Sequence, residues 1–210
     1  MKNVPFFSNT ADDTHCVQAV FRMVLKYFLP KSDFSWQELD RMSKKQPGKG
    51  TWWFPMIAEL KRLDIDITYI EAFDYQEYFL EGSGYLEAFY GKETAAWFIA
   101  KSNINDVRSA IPEFLAGTDL INRPATMKDI IDLLDDGWLV GAEINTKILL
   151  KQAGFNGHMV LIYAHKDNAF IVHDPGLPAK PHRLIDKQKF SQSWMYSGPD
   201  KVALVAFKKI

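Results

Sequence analysis

Apolar residues recur at helical spacing after Cys16: Ala19, Val20, Met23, Val24, Tyr27 and Phe28 fall on one face before Pro30 ends the pattern. The spacing predicts an amphipathic helix with Cys16 in its first turn. Asp12, Asp13 and Thr14 lie just upstream, and each is a residue type that caps helices, so any of the three fits. A second short helix is predicted from Ser35, followed by a basic, breaker-rich loop from Lys44 to Gly50. Thr51 to Leu63 reads as another helix, and Ile65 to Ile70 alternates as a strand.

From Asp74 to Phe114 the chain is dense in Tyr, Phe and Trp at roughly helical spacing, broken by Gly82, Gly84 and Gly91, which predicts two or three helices. Asp129 to Asp136 forms a further short helix that Gly137 ends. After it, Trp138 to Ile144, Met159 to Ala164, Ala169 to Val172 and Val202 to Phe207 read as strands. Helices first and antiparallel strands second describe an α+β domain.

With 210 residues, 47% of them hydrophobic, the chain can bury a substantial core and is expected to form a single domain over 1–210. Its 25 basic and 26 acidic residues nearly cancel, so no global field recruits nucleic acid or an anionic membrane. The start, Met1 to Phe7, lacks the apolar run of a signal peptide, and no apolar run is long enough to span a bilayer, so a cytoplasmic protein is expected. His15, His165, His173 and His182 form no ligand spacing with carboxylates on a helix, so neither a metal nor another cofactor is expected.

The single cysteine excludes an internal disulfide and leaves Cys16 as core filler or a reactive thiol. Taken alone, a cysteine near a helix start is most often a small buried hydrophobe. Two downstream segments change that reading. Gly157-His158-Met159-Val160 and Ile171-Val172-His173-Asp174-Pro175-Gly176 place an imidazole and a carboxylate in strand-like contexts, in the order Cys, His, Asp. A helix N-terminus and a neighbouring imidazolium both favour a thiolate, and a carboxylate on the next strand can fix the imidazole tautomer. Alternation turns His173 to the face opposite Asp174, which removes it from this set.

Val4-Pro5-Phe6-Phe7 followed by a polar loop and Cys16 on a helix resembles the start of the double-glycine, or bacteriocin-leader, peptidases. The similarity continues through Glu38-Leu39, Leu60-Lys61-Arg62-Leu63, Asp136-Gly137-Trp138-Leu139-Val140, Gly157-His158 and Asp174-Pro175. The stretch from about 74 to 122 departs from it and looks like a helical insertion. The resemblance implies a papain-like cysteine peptidase fold with Cys16 as nucleophile, His158 as base and Asp174 as the group orienting the imidazole. It implies hydrolysis of a peptide or amide bond through an acyl-enzyme; acyl transfer by the same residues and a non-catalytic peptide-binding relative are the alternatives. The family usually has a glutamine before the cysteine as an oxyanion donor and a glycine after it. Here Asn9 is the nearest amide, and Val17 follows the cysteine.

Overall fold

A computed structural model describes residues 2–209. Its first helices are α1 (Cys16–Phe28), α2 (Trp36–Met42) and α3 (Phe54–Lys61), followed by strand β1 (Asp66–Ile70). Next come α4 (Tyr75–Glu81), α5 (Ser83–Tyr90), α6 (Lys92–Lys101), α7 (Ile111–Gly117) and the short β2 (Asp119–Ile121). The last part runs α8 (Met127–Asp135), β3 (Leu139–Asn145), α9 (Thr146–Leu149), β4 (Gly157–Lys166), β5 (Ala169–Asp174), β6 (Lys180–Asp186), α10 (Lys187–Trp194) and β7 (Leu204–Lys208).

All seven strands form one sheet in the order β2-β1-β7-β3-β4-β5-β6. Every pairing is antiparallel except β1 with β2. Strand alternation divides the apolar residues between two layers. Ile67, Tyr69, Leu139, Met159, Leu161, Val205 and Phe207 pack on one side with α1, α3 and the helices of the middle segment. Val140, Ile144, Val160, Ile162, Val172 and Leu204 pack on the other with Ile130 of α8 and Phe190 and Trp194 of α10. Two strands that the sequence pattern does not announce lie at the edges. In β6, Lys180, Pro181, His182 and Leu184 are exposed and only Ile185 is buried, so only the row of hydrogen bonds to β5 identifies it as a strand. Three-residue β2 is too short to show a period.

The caps differ from expectation at α1. His15 occupies the N-cap position without a side-chain cap bond, and it is Asn9 Oδ1 that accepts from His15 N at 2.8 Å. Asp12 instead binds Thr10 and Thr14 within the preceding loop. Helix α8 has the full reciprocal pattern, with Thr126 and Asp129 each bonding the other's backbone N–H, and Gly137 leaves the helix at φ +91, a conformation glycine adopts without a Cβ penalty.

Candidate active site

Cys16 is the first residue of α1, where the leading backbone N–H groups have no partners within the helix and the helix dipole favours negative charge. The thiol is free and half-buried. His158 sits at the start of β4 and Asp174 at the end of β5; because these strands are antiparallel neighbours, both side chains arrive at the same end of the sheet. His158 Nε2 donates to Asp174 Oδ1 at 2.7 Å, and both residues are buried. That bond leaves Nδ1 as the ring nitrogen available to a reacting partner, and Cys16 lines the same cleft as the ring.

Asp174 is fixed by more than the histidine. Arg183 on β6 donates Nη1 to Oδ2 at 2.6 Å, and Gly176 N donates to Oδ1 at 3.1 Å. Gly176 presses so closely on the pair that a Cβ there would lie 3.1 Å from Asp174 Oδ1 and 3.2 Å from the His158 ring. Burial alone would raise the carboxyl, but the His158 bond and charge, together with Arg183, hold it down to about 2. Burial alone would likewise lower the imidazole; the bond to Asp174 and the hydrogen bond and charge of Cys16 outweigh it and lift His158 to about 10. At neutral pH the ring is therefore a cation beside the sulfur. This is the electrostatic setting in which a thiolate is stabilised.

Asn9 is buried in the loop ahead of α1, and its backbone N–H binds Pro175 O at 2.8 Å, next to Asp174. Its Oδ1 accepts from Thr10 N and His15 N, and Nδ2 donates to Asp13 Oδ1 at 2.7 Å. The side chain thus closes the loop in front of Cys16 while one of its two amide hydrogens is engaged. Val17, the residue after the cysteine, is buried and lines the cleft. His173 bonds Val4 O at 3.0 Å and makes tilted ring contacts with Tyr163 and Phe6, and it is not on the lining of the cleft. His15 lies beside Asp12, Asp40 and the edge of Trp36, outside the cleft.

A cleft partly open to solvent has Cys16, His158 and Gly157 on its lining. The middle segment contributes Tyr90, Trp97 and Phe98 to the lining. Two further groups face the cleft that the sequence reading did not single out, Glu71 and Glu143. Their signal was present: each occupies the position at which an inward, apolar alternation would continue, Ile67-Tyr69-Glu71 and Leu139-Gly141-Glu143. Among the described residues no cluster of three or more His, Cys, Asp or Glu side chains could hold a metal ion.

The sequence profile of the Peptidase_C39 like family matches residues 1–202. The chain belongs to that family. No curated protein matches it. Among the solved structures that share the fold are the following three. The peptidase domain of Streptococcus ComA, a bi-functional ABC transporter involved in a quorum-sensing pathway, matches at TM-score 0.53 and 14% identity, covering 99% of this chain and all of that one. A C39-like peptidase from Bacillus anthracis matches at 0.55 and 12%, over 100% and 96% of the two chains. A double-glycine-motif protease from an AMS/PCAT transporter, in complex with its leader peptide, matches at 0.50 and 12%, over 100% and 94%. At these identities the likeness concerns the fold: a papain-like α+β arrangement of helices on a mainly antiparallel sheet. Among the described residues no helix is long and apolar enough to cross a membrane.

Proposed function

We propose that this member of the family is a thiol hydrolase that cleaves a peptide or amide bond. The single observation that carries the reading is the His158 Nε2 to Asp174 Oδ1 bond of 2.7 Å, which leaves the other ring nitrogen for Cys16 at the N-terminus of α1. In this mechanism the Cys16 sulfur attacks the carbonyl carbon and His158 carries the thiol proton. His158 then donates that proton to the departing amine, giving an acyl-enzyme that water hydrolyses with His158 acting as base. Asp174, itself held by Arg183 and Gly176 N, fixes the ring tautomer and offsets the imidazolium charge. A mass-spectrometric search for an acyl adduct on Cys16 with activated amide or thioester peptides tests the proposal. The expected result is an adduct on the parent chain and none on Cys16→Ala; a parent protein that never forms one is a peptide-binding relative.

The Cys16 backbone N–H and the remaining Asn9 Nδ2 hydrogen form the proposed oxyanion donors. Because Asn9 also closes the loop, two readouts separate its roles. Asn9→Ala should lower turnover by roughly a hundredfold, the usual loss for one such donor, while Cys16 alkylation changes little. If alkylation falls in step with turnover, Asn9 serves the loop and not the oxyanion.

A further inference from the structure

We propose that the cleft contains, beside Cys16, a binding site for an alkylammonium group of the substrate, held between Glu71 and Glu143 above Ala203. The proposal rests on the reading of this cleft as the substrate site. It starts from strand register. In β7, Leu204 pairs with Ile70 and Val205 with Tyr69, while on the other side Val205 pairs with Gly141. Continuing both registers by alternation puts Ala203 between Glu71 and Glu143, so the two carboxylate-bearing backbones stand two strands, or about 10 Å, apart. A small residue separates them, and all three line the cleft.

Neither carboxylate is in an ion pair among the described residues, although the His158 charge acts on Glu143 and lowers it. Glu71 is 4% exposed and takes hydrogen bonds from Tyr69 at 2.8 Å and Tyr75 at 2.7 Å, but both go to Oε2. Its Oε1 receives none from the described residues. Glu143 is enclosed by protein yet keeps part of its surface open, and the open part faces the cleft. Among the described residues no arginine or lysine forms an ion pair with either group. Lys201, the one lysine on the lining, lies with Nζ 5.7 Å from the centre of the Phe89 ring and influences neither carboxyl. Buried carboxylates are normally paired or kept protonated, and a cation entering this cavity would supply the missing charge.

The walls suit the same ligand. Trp52 packs edge-on against Tyr90 and Phe98, and these rings line the cleft with Trp97, Tyr196 and the two carboxyls. Such rings attract ammonium groups and leave anions unsatisfied. Gly157 belongs to the same design, because a Cβ there would collide with Glu143 Oε1. Burial pushes both carboxyls up to about 7, with the Glu71 charge adding to the effect on Glu143, so protons compete with a bound cation near neutrality. The tyrosines facing them, Tyr69, Tyr75, Tyr90 and Tyr196, are raised and stay neutral there, and His158 stays protonated.

Tryptophan fluorescence titration with n-butylammonium chloride at constant ionic strength tests the site, with n-butanol as the neutral control. The Cys16→Ala chain serves for the pH series, so that the thiol does not contribute. We expect saturable binding of butylammonium and none of butanol, tightening about tenfold or more between pH 5.5 and 8 as the carboxyls ionise. Glu71→Gln and Glu143→Gln should each weaken it about tenfold, since each leaves the cation one charge short. No saturation, an equal response to butanol, or unchanged affinity in both variants would overturn the proposal; the pH series decides it even where a variant does not fold. Butylammonium binding by a chain whose Cys16 never acylates would reject the hydrolase and keep the site, whereas acylation without butylammonium binding would do the reverse.

Discussion

His158→Ala is expected to reduce amide hydrolysis by about a thousandfold or more and to slow alkylation of Cys16 at neutral pH. The first effect follows from the proposed proton path: without the imidazole, the group that takes the thiol proton and returns it to the leaving amine is gone. The second follows from charge, since His158 is lifted to about 10 and is a buried cation next to the sulfur at pH 7. Asp174→Asn should show the intermediate result, because it keeps a side chain near Arg183 but removes the carboxylate that raises the imidazole. Its His158 ring should titrate at lower pH by NMR, with turnover lowered and the thiol still present. Iodoacetamide kinetics from pH 5 to 9 on the three proteins provide the measurement. Identical rate profiles would remove His158 from the chemistry.

The parts of this site that the sequence discloses are those whose chemistry is rare and whose local pattern is strong. Cys16 is the sole cysteine and precedes a clear helical period; His158 and Asp174 occupy runs of β-branched and apolar residues that read as strands. Strand pairing explains why the rest stayed hidden. Arg183 reaches Asp174 only because β6 adds to the sheet edge, and β6 has too little apolar alternation to be recognised as a strand. Glu71 and Glu143 stand 72 positions apart in the chain and are brought together by β7, which pairs with both of their strands. The cap of α1 illustrates the same limit on a smaller scale. Asp12, Asp13 and Thr14 have the right chemistry at the right distance, yet no side chain caps the helix, and Asn9 Oδ1 instead accepts from the N–H of His15, the N-cap residue itself. Local preference named the acceptor types, and the folding of the loop, tied by Asn9 N to Pro175 O, took them elsewhere.

The same buried groups give the protein a stability profile that should peak on the acid side of neutrality, near pH 4 to 5. Glu71 and Glu143 have ordinary values of 4.5 and are pushed up to about 7, chiefly by burial. Between those values the folded chain keeps protons that the unfolded chain releases, so folding weakens as pH rises. A tenfold change in an acid dissociation constant corresponds to about 1.4 kcal/mol, which makes the loss from the two groups on the order of several kcal/mol. His158 extends the decline. Its raised value stabilises the fold fully below about 6.5, and that contribution disappears as pH rises through about 10. On the acid limb the sign reverses: Asp174, held near 2, contributes above its ordinary 3.8 and loses that contribution as pH falls through about 2, with Asp129 acting in the same direction. Denaturant unfolding measured from pH 3 to 9 should therefore show stability falling from pH 4.5 to 7. Glu71→Gln and Glu143→Gln should flatten that fall, and His158→Ala should flatten the decline above it. His173, lowered by burial, acts in the opposite direction below about 6.5, so the glutamine variants decide the attribution: a profile that neither variant alters would mean that the two glutamates are ionised and already satisfied in the folded protein, which would also contradict their role as an open receptor for a cation.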